Sequence, residues 1–340
     1  MNNKIFVAGN ILLDFLYPIT GYPSPGHLTT IEDNISKAVG GLVCNVGIDL
    51  KRLMPDAEVY AIGLVGNDDS GDYSLNVIKS EGLDTSMVGL AGATSFTAVM
   101  SDTITRERTF FQYRGANALF SQEHMDFDRM DDGLLHIGYI LLLDALDEED
   151  EEYGTKMARL LASAKEHGLE TSIDVVSESG NRFARLVKPA LRYTDYCIIN
   201  EIETQNTVGI PLRDENGSLI TGNILPALCA LFDCGVGKWA VIHTPEGGFA
   251  MDRDGNTVSC GSVNLPDGWI KGTVGAGDAF CAGILSAVTR GMTLKDAVRL
   301  GNCSAAASLA AAGATEAMST IEDALTIGKT YGFRDIPDPV

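Results

Sequence analysis

Short apolar segments of strand composition recur along the chain, and segments of helical composition separate them. The strand-like segments lie at 4–9, 59–65, 88–92, 134–143, 170–175, 196–199 and 239–243. Helical composition follows at about 42–53, 72–80, 181–191 and 223–232, and an acidic run at 147–152 opens a further helix that reaches 166. Parallel strands need long crossovers, usually helices, so this rhythm predicts a mainly parallel sheet covered by helices. Two regions break the rhythm. Segment 27–36 alternates as a half-exposed strand does, and 94–100 with 106–113 reads as a hairpin. Together they predict a small separate sheet or flap. Two further helices, near 293–312 and 320–330, complete the chain.

Composition narrows the function classes. A net charge of −21 argues against nucleic acid and anionic membrane as partners. Seven scattered cysteines without a Cys-x-x-Cys pair fit a reducing cytoplasm better than a disulfide framework. The apolar stretch at 5–19 is interrupted by Asp14 and reads as a buried strand, not a signal peptide. No P-loop and no Gly-x-Ser-x-Gly elbow is present. Phe280 stands where a dinucleotide fingerprint needs its third small residue. The histidines at 27, 124, 136, 167 and 243 have no metal-ligand spacing in the sequence and read as ordinary histidines.

The chemistry-bearing stretch is Gly272-Thr273-Val274-Gly275-Ala276-Gly277-Asp278-Ala279-Phe280. A glycine loop that opens a helix presents free N–H groups at the positive end of the helix dipole, which is an anion site. Asp278 is there either a proton acceptor beside that anion or an N-cap with loop glycines before it. Elsewhere, Gly40-Gly41 enters a helix and lets backbone approach a ligand, with Asn45 on its first turn able to hydrogen-bond it. Asp14 lies either at the ligand-binding end of the first strand or in a solvated turn. Arg106, Arg108 and Arg114 put positive charge on the flap, or simply protect an edge strand.

In order along the chain, these motifs resemble the ribokinase/PfkB family of carbohydrate and nucleoside kinases. Gly275-Ala276-Gly277-Asp278-Ala279-Phe280 matches the C-terminal family signature, and Gly40-Gly41 with Asn45 matches the N-terminal one. Gly63, Val65, Gly66, Asp68 and Gly71, then Gly115-Ala116-Asn117 and Asn200-x-x-Glu203, resemble further family segments. The resemblance implies a three-layer α/β/α ribokinase-like sandwich, with core at 1–14, 38–93 and 119–340 and a β-sheet lid at 15–37 and 94–118. It implies ATP-dependent phosphorylation of an alcohol on a sugar, with Asp278 as base and the N–H groups of Gly275, Ala276 and Gly277 as anion hole. It also assigns Asp14, Gly40, Gly41, Asn45, Asn117 and Asp144 to the substrate. Asn200, Thr244, Gly247 and Asn302 fall to the nucleotide, and Glu203 to magnesium. A homodimer through the lid follows from the same resemblance.

Some positions depart from the family pattern. Gly272 replaces an expected Asp that helps hold potassium in activated members. Thr244-Pro245-Glu246-Gly247 keeps only the last glycine of the usual nucleotide loop, and Leu12 replaces an expected Asn. The segment from Asn10 to Asp14 is closer to nucleoside kinases, which keeps a nucleoside substrate open. The lid arginines favour an anionic substrate, and the altered loop keeps open a catalytically silent sugar-binding regulator.

Overall fold

Nine strands form one sheet in the order Thr257–Gly261, Gly247–Asp252, Trp239–Thr244, Tyr196–Asn200, Glu170–Val175, Leu134–Ile140, Lys4–Gly9, Glu58–Val65 and Asp84–Leu90. The last seven run parallel, and the first two add an antiparallel edge. This is a computed structural model, and it describes residues 3–32, 34–105, 107–178 and 180–336.

Successive strand residues point to opposite faces, so alternate residues feed two cores. Ile5, Val7, Ile198 and Val241 pack under the helices Leu42–Leu53, Ala276–Thr289 and Leu294–Ser308. Phe6, Ala8, Ile199 and Ile242 pack under Lys156–Glu166, Phe183–Leu191 and Ile224–Asp233. Both faces being covered explains why the strands are near-continuous apolar runs. The result is a ribokinase-like three-layer α/β/α sandwich.

A second sheet has four strands in the order Ser36–Gly40, Leu12–Ile19, Ser95–Asp102 and Arg108–Tyr113. Its two middle strands pair in parallel, with Asp14 opposite Thr97, and the outer pairs are antiparallel. The expected hairpin at 94–113 is present. Three expectations need correction. The strand expected at 27–36 lies at Ser36–Gly40 instead, because the prolines and glycines of 21–26 lead into irregular backbone that meets the sheet at an isolated bridge from Ile31 to Ile19 and a bond from the Glu32 N–H to the Pro18 carbonyl. The apolar run at 5–19 is two strands in different sheets, so Asp14 belongs to the small sheet and not to the end of the first strand.

The acidic run at 147–152 does not open a helix. Asp150 accepts from the N–H groups of Glu152 and Tyr153 and pairs with Arg159, which folds the run into a turn. The helix starts only at Lys156, where Thr155 caps it by accepting from the N–H of Ala158. Among the described residues no helix is long and apolar enough to cross a membrane.

Candidate active site

Gly275 is the N-cap of the Ala276–Thr289 helix and takes a left-handed conformation, φ 76°. A side chain there would also meet Ala314, whose Cβ lies 2.6 Å from the position of an added Cβ. Glycine is therefore required twice over. Because Gly275 holds the cap, Asp278 is not the N-cap. It lies in the first helical turn, and its carboxylate is engaged elsewhere. Oδ1 accepts the Tyr139 hydroxyl at 2.7 Å, and Oδ2 accepts the Asn45 side-chain amide at 3.0 Å. Burial holds the Asp278 carboxyl above the usual carboxylate range, and these two hydrogen bonds pull it partly back. Burial together with the charge of Asp278 pushes the Tyr139 phenol well up, so Tyr139 stays a donor.

Asn45 is brought to Asp278 by the Leu42–Leu53 helix. That helix enters through Gly41, φ 84°, where an added Cβ would lie 2.5 Å from the Asn10 carbonyl oxygen. Asn10 is fully buried, and its side chain accepts from the Tyr139 N–H at 2.6 Å and donates to the Leu142 carbonyl. One buried amide thus ties the Gly41 entry to the segment that carries Tyr139. Gly40 makes room for Asp14, whose Oδ2 lies 2.5 Å from an added Cβ. Burial raises Asp14, and the Thr97 hydroxyl counteracts this by hydrogen bonding.

Asn117 is buried. Its Oδ1 accepts from the Ile11 N–H at 3.1 Å, and its Nδ2 has no partner among the described residues. Asp144 is exposed, in the turn beyond the Leu134–Ile140 strand. Nearby, Arg114 and Arg182 both donate to the Leu141 carbonyl, and Arg114 Nη1 is left buried without a partner among the described residues. Asp147 lies beside these arginines, and burial pushes it up to about 6. Arg108 is exposed, and Arg106 lies outside the described residues.

A cavity of about 530 Å³ opens over the start of the Ala276–Thr289 helix. Thr273, Ala276, Gly277, Asn200, His243 and Asn302 line it, together with Thr244. Helix N–H groups in a first turn have no intrahelical acceptor, so this end of the cavity favours an anion. Asn302 is fixed by its bond to the Cys260 carbonyl, and the His243 ring stacks on Phe280 at 5.0 Å. Gly247 is not part of the lining. It sits in the Gly247–Asp252 strand, where an added Cβ would lie 2.4 Å from the Cys260 carbonyl oxygen.

Asn200 caps the Glu201–Val208 helix, which is absent from the helices expected from composition. Asn200 Oδ1 accepts from the Glu203 N–H, and Glu203 Oε2 accepts in return from the Asn200 N–H. Glu203 lies behind Asn200, buried, and burial pushes it up to about 7 against the pull of the Asn200 N–H. Gly272 packs on the chain beyond the Leu294–Ser308 helix. An added Cβ would lie 2.8 Å from the Ala312 carbonyl oxygen, so a side chain does not fit there without movement.

The model for pfkB family carbohydrate kinases matches residues 2–321. The chain belongs to the PfkB family of carbohydrate kinases. It is accordingly a phosphotransferase. A 5-dehydro-2-deoxygluconokinase of Clostridium perfringens is 24% identical over 329 residues, covering 94% of this chain and 90% of its own. The ribokinase of Haemophilus influenzae is 23% identical over 327 residues, covering 96% of this chain and 98% of its own. The fold is similar to that of Arabidopsis thaliana ribokinase complexed with ribose and ATP, with a TM-score of 0.78, 19% identity and 96% and 99% of the two chains covered. It is also similar to a putative ribokinase II of E. coli in complex with ATP and magnesium, at TM-score 0.74, 18% identity and coverage of 97% and 100%.

Tyr139, Asn10 and His243 were not singled out as site residues from the sequence. Tyr139 ends an apolar strand and carries no motif. His243 looks like any strand histidine until Phe280 is seen beneath it.

Proposed function

We propose that this PfkB-family kinase transfers the γ-phosphoryl group of ATP to an alcohol of a sugar acid or another anionic sugar. One observation carries the reading. Asp278, with a raised proton affinity, lies in the first turn of a helix whose leading residues Ala276 and Gly277 line the cavity. In the reaction the alcohol oxygen bonds to the γ-phosphorus while its proton passes to Asp278. The bond from that phosphorus to the bridging oxygen breaks, and ADP leaves. The N–H groups of Gly275, Ala276 and Gly277 stabilise the charge on the moving phosphoryl group.

Magnesium, when bound with the nucleotide, supplies positive charge to the phosphate oxygens. Asn200 lines the cavity with Glu203 behind it, and their oxygens are of the hard type that would hold this ion. Thr244 and Asn302 would contact the nucleotide. Asp14, Gly40, Gly41, Asn45, Asn117 and Asp144 would face the sugar, where the free Asn117 Nδ2 is a donor in want of a hydroxyl.

The unpartnered Arg114 Nη1 favours a substrate anion over a neutral one, because a buried guanidinium nitrogen needs an acceptor. The relative named 5-dehydro-2-deoxygluconokinase agrees with a substrate in the sugar-acid range. We assign 15–37 and 94–118 to a lid that excludes water. The exposed Phe110 and Phe111 on it support a homodimer through the lid. Seven free cysteines favour a cytoplasmic setting.

A screen of sugars, sugar acids and nucleosides with ATP tests the reading. Turnover of a sugar acid that is abolished in Asp278→Asn supports it. Turnover confined to nucleosides would replace it by a nucleoside kinase, and no turnover of any acceptor would leave a sugar-binding regulator.

A further inference from the structure

Three chemically distinct donors meet behind the base, at a place the phosphoryl-transfer reading does not use. His136 comes from the Leu134–Ile140 strand, Asp174 from the Glu170–Val175 strand and Cys281 from the Ala276–Thr289 helix. Cys281 is one helical turn beyond Asp278. All three are buried, and one ligand atom from each lies within 4.8 Å of the other two.

The orientation of the imidazole separates two explanations. A thiol–imidazole–carboxylate relay would set the carboxylate on one ring nitrogen and the thiol on the other. Here the Cys281 Sγ lies 3.7 Å from His136 Nε2, and Asp174 Oδ2 lies 3.9 Å from the same nitrogen. The other nitrogen, Nδ1, is already bonded to the Ser172 hydroxyl at 3.1 Å. All three donors therefore face one point, and the outer bond to Ser172 orients the ring as metal-binding histidines are oriented. A tetrahedral ion with bonds of about 2.0–2.3 Å holds its ligands roughly 3.3–3.7 Å apart. The two separations from Nε2 need close by only a few tenths of an ångström, and the third, from Sγ to the carboxylate, is under 4.8 Å.

Charge points the same way. Burial is the main cause that raises the proton affinity of Asp174, and the neighbouring Asp278 and Glu203 carboxyls, which carry no positive charge, raise it further. A cation is what this pocket lacks. Thiolate, imidazole and carboxylate together select a borderline ion of the zinc type, whereas magnesium prefers oxygen donors.

We propose that His136, Asp174 and Cys281 bind a zinc-type divalent ion that ties the two strands and the base-bearing helix together. The site is separate from the nucleotide-linked magnesium. Binding displaces the thiol proton and any proton on Asp174 to solvent, and Nε2 binds through its lone pair. The fourth position falls to water.

The test is metal content and spectrum of the purified full chain, read without any activity assay. Protein expressed with zinc should carry about one zinc per chain after gel filtration. Cobalt(II) in its place should give a near-ultraviolet thiolate-to-cobalt band. Cys281→Ser should abolish the band and Ser172→Ala should weaken zinc binding by about tenfold or more, while Cys229→Ser, at an exposed cysteine, should change neither. Chelation should lower Tm. Wild-type protein with no stoichiometric zinc and no thiolate band overturns the proposal, and so does a band that survives in Cys281→Ser. Should Cys281→Ser fail to fold, Asp174→Asn decides in its place: undiminished zinc affinity in that variant overturns the proposal.

Discussion

Tyr139 donates its hydroxyl proton to Asp278 Oδ1 at 2.7 Å, across 139 residues of sequence. The bond favours the ionised carboxylate, and burial opposes it. Tyr139→Phe removes this bond and leaves the Asn45 bond and the burial in place. The proton affinity of Asp278 then rises, and the acidic limb of the kcat/KM profile moves to higher pH. Side-by-side pH profiles of the two proteins check this. A limb that stays in place, or moves to lower pH, contradicts the role given to Tyr139.

Asp278→Asn keeps the shape of the side chain and the Asn45 and Tyr139 neighbours but cannot take a proton. Loss of a general base costs at least ~100-fold in kcat. The variant should bind nucleotide with nearly unchanged affinity and melt at or near the wild-type temperature. Full activity in this variant would remove Asp278 from the mechanism.

Much of this site was legible because it is built from local rules. Gly275, Gly277 and Asp278 announce a helix N-terminus, and Gly40-Gly41 another; both are where the spacing put them. The alternation of short strands and helices likewise fixed the layers, since a parallel sheet leaves few other arrangements. What failed was weighing one local signal against another. The acidic run at 147–152 looked like a helix start, but Thr155 is the better cap and Asp150 prefers its own turn. Asn200-x-x-Glu203 has the form of a capping box, and the helix behind it was overlooked because it shows little amphipathic patterning. Tyr139 and the His136, Asp174 and Cys281 group had no signal at all. Only strand order brings residues so far apart in sequence to one place.

Arg114 offers a second measurement. Its Nη1 is buried and unpartnered, while Nη2 is held by the Leu141 carbonyl. If Nη1 receives a substrate anion, Arg114→Gln loses a hydrogen bond to a charged group, ~1.5–3 kcal/mol. KM for an anionic sugar should then rise by about tenfold or more, with kcat little changed. Neutral acceptors should be spared. An equal effect on neutral and anionic acceptors would make Arg114 a structural residue.

At Gly272 packing and ion dependence meet. The Ala312 carbonyl oxygen stands 2.8 Å from the place of a Cβ, so Gly272→Asp overpacks the loop and should lower stability by ~1–3 kcal/mol. The wild-type protein lacks a carboxylate at this position. Exchange of sodium for potassium should accordingly leave kcat within about twofold, well under the ~1.4 kcal/mol that a tenfold change represents. Strong potassium activation of the wild type would show that other groups hold the ion.

Glu203 links the site to the stability of the whole fold. Burial raises it from 4.5 to about 7 in the native chain. The folded state therefore holds this proton more tightly than the unfolded state does. The resulting stabilisation is complete below pH 4.5, where both states are protonated, and is lost as pH rises through about 7. Glu203→Gln resembles the protonated acid at every pH and cannot show that loss. The Tm of the variant minus that of the wild type should thus increase from pH 5 to pH 8. A difference that is flat or falls over this range would mean that Glu203 is ionised in the folded protein throughout. The Asn200 and Ser177 hydrogen bonds would then outweigh its burial.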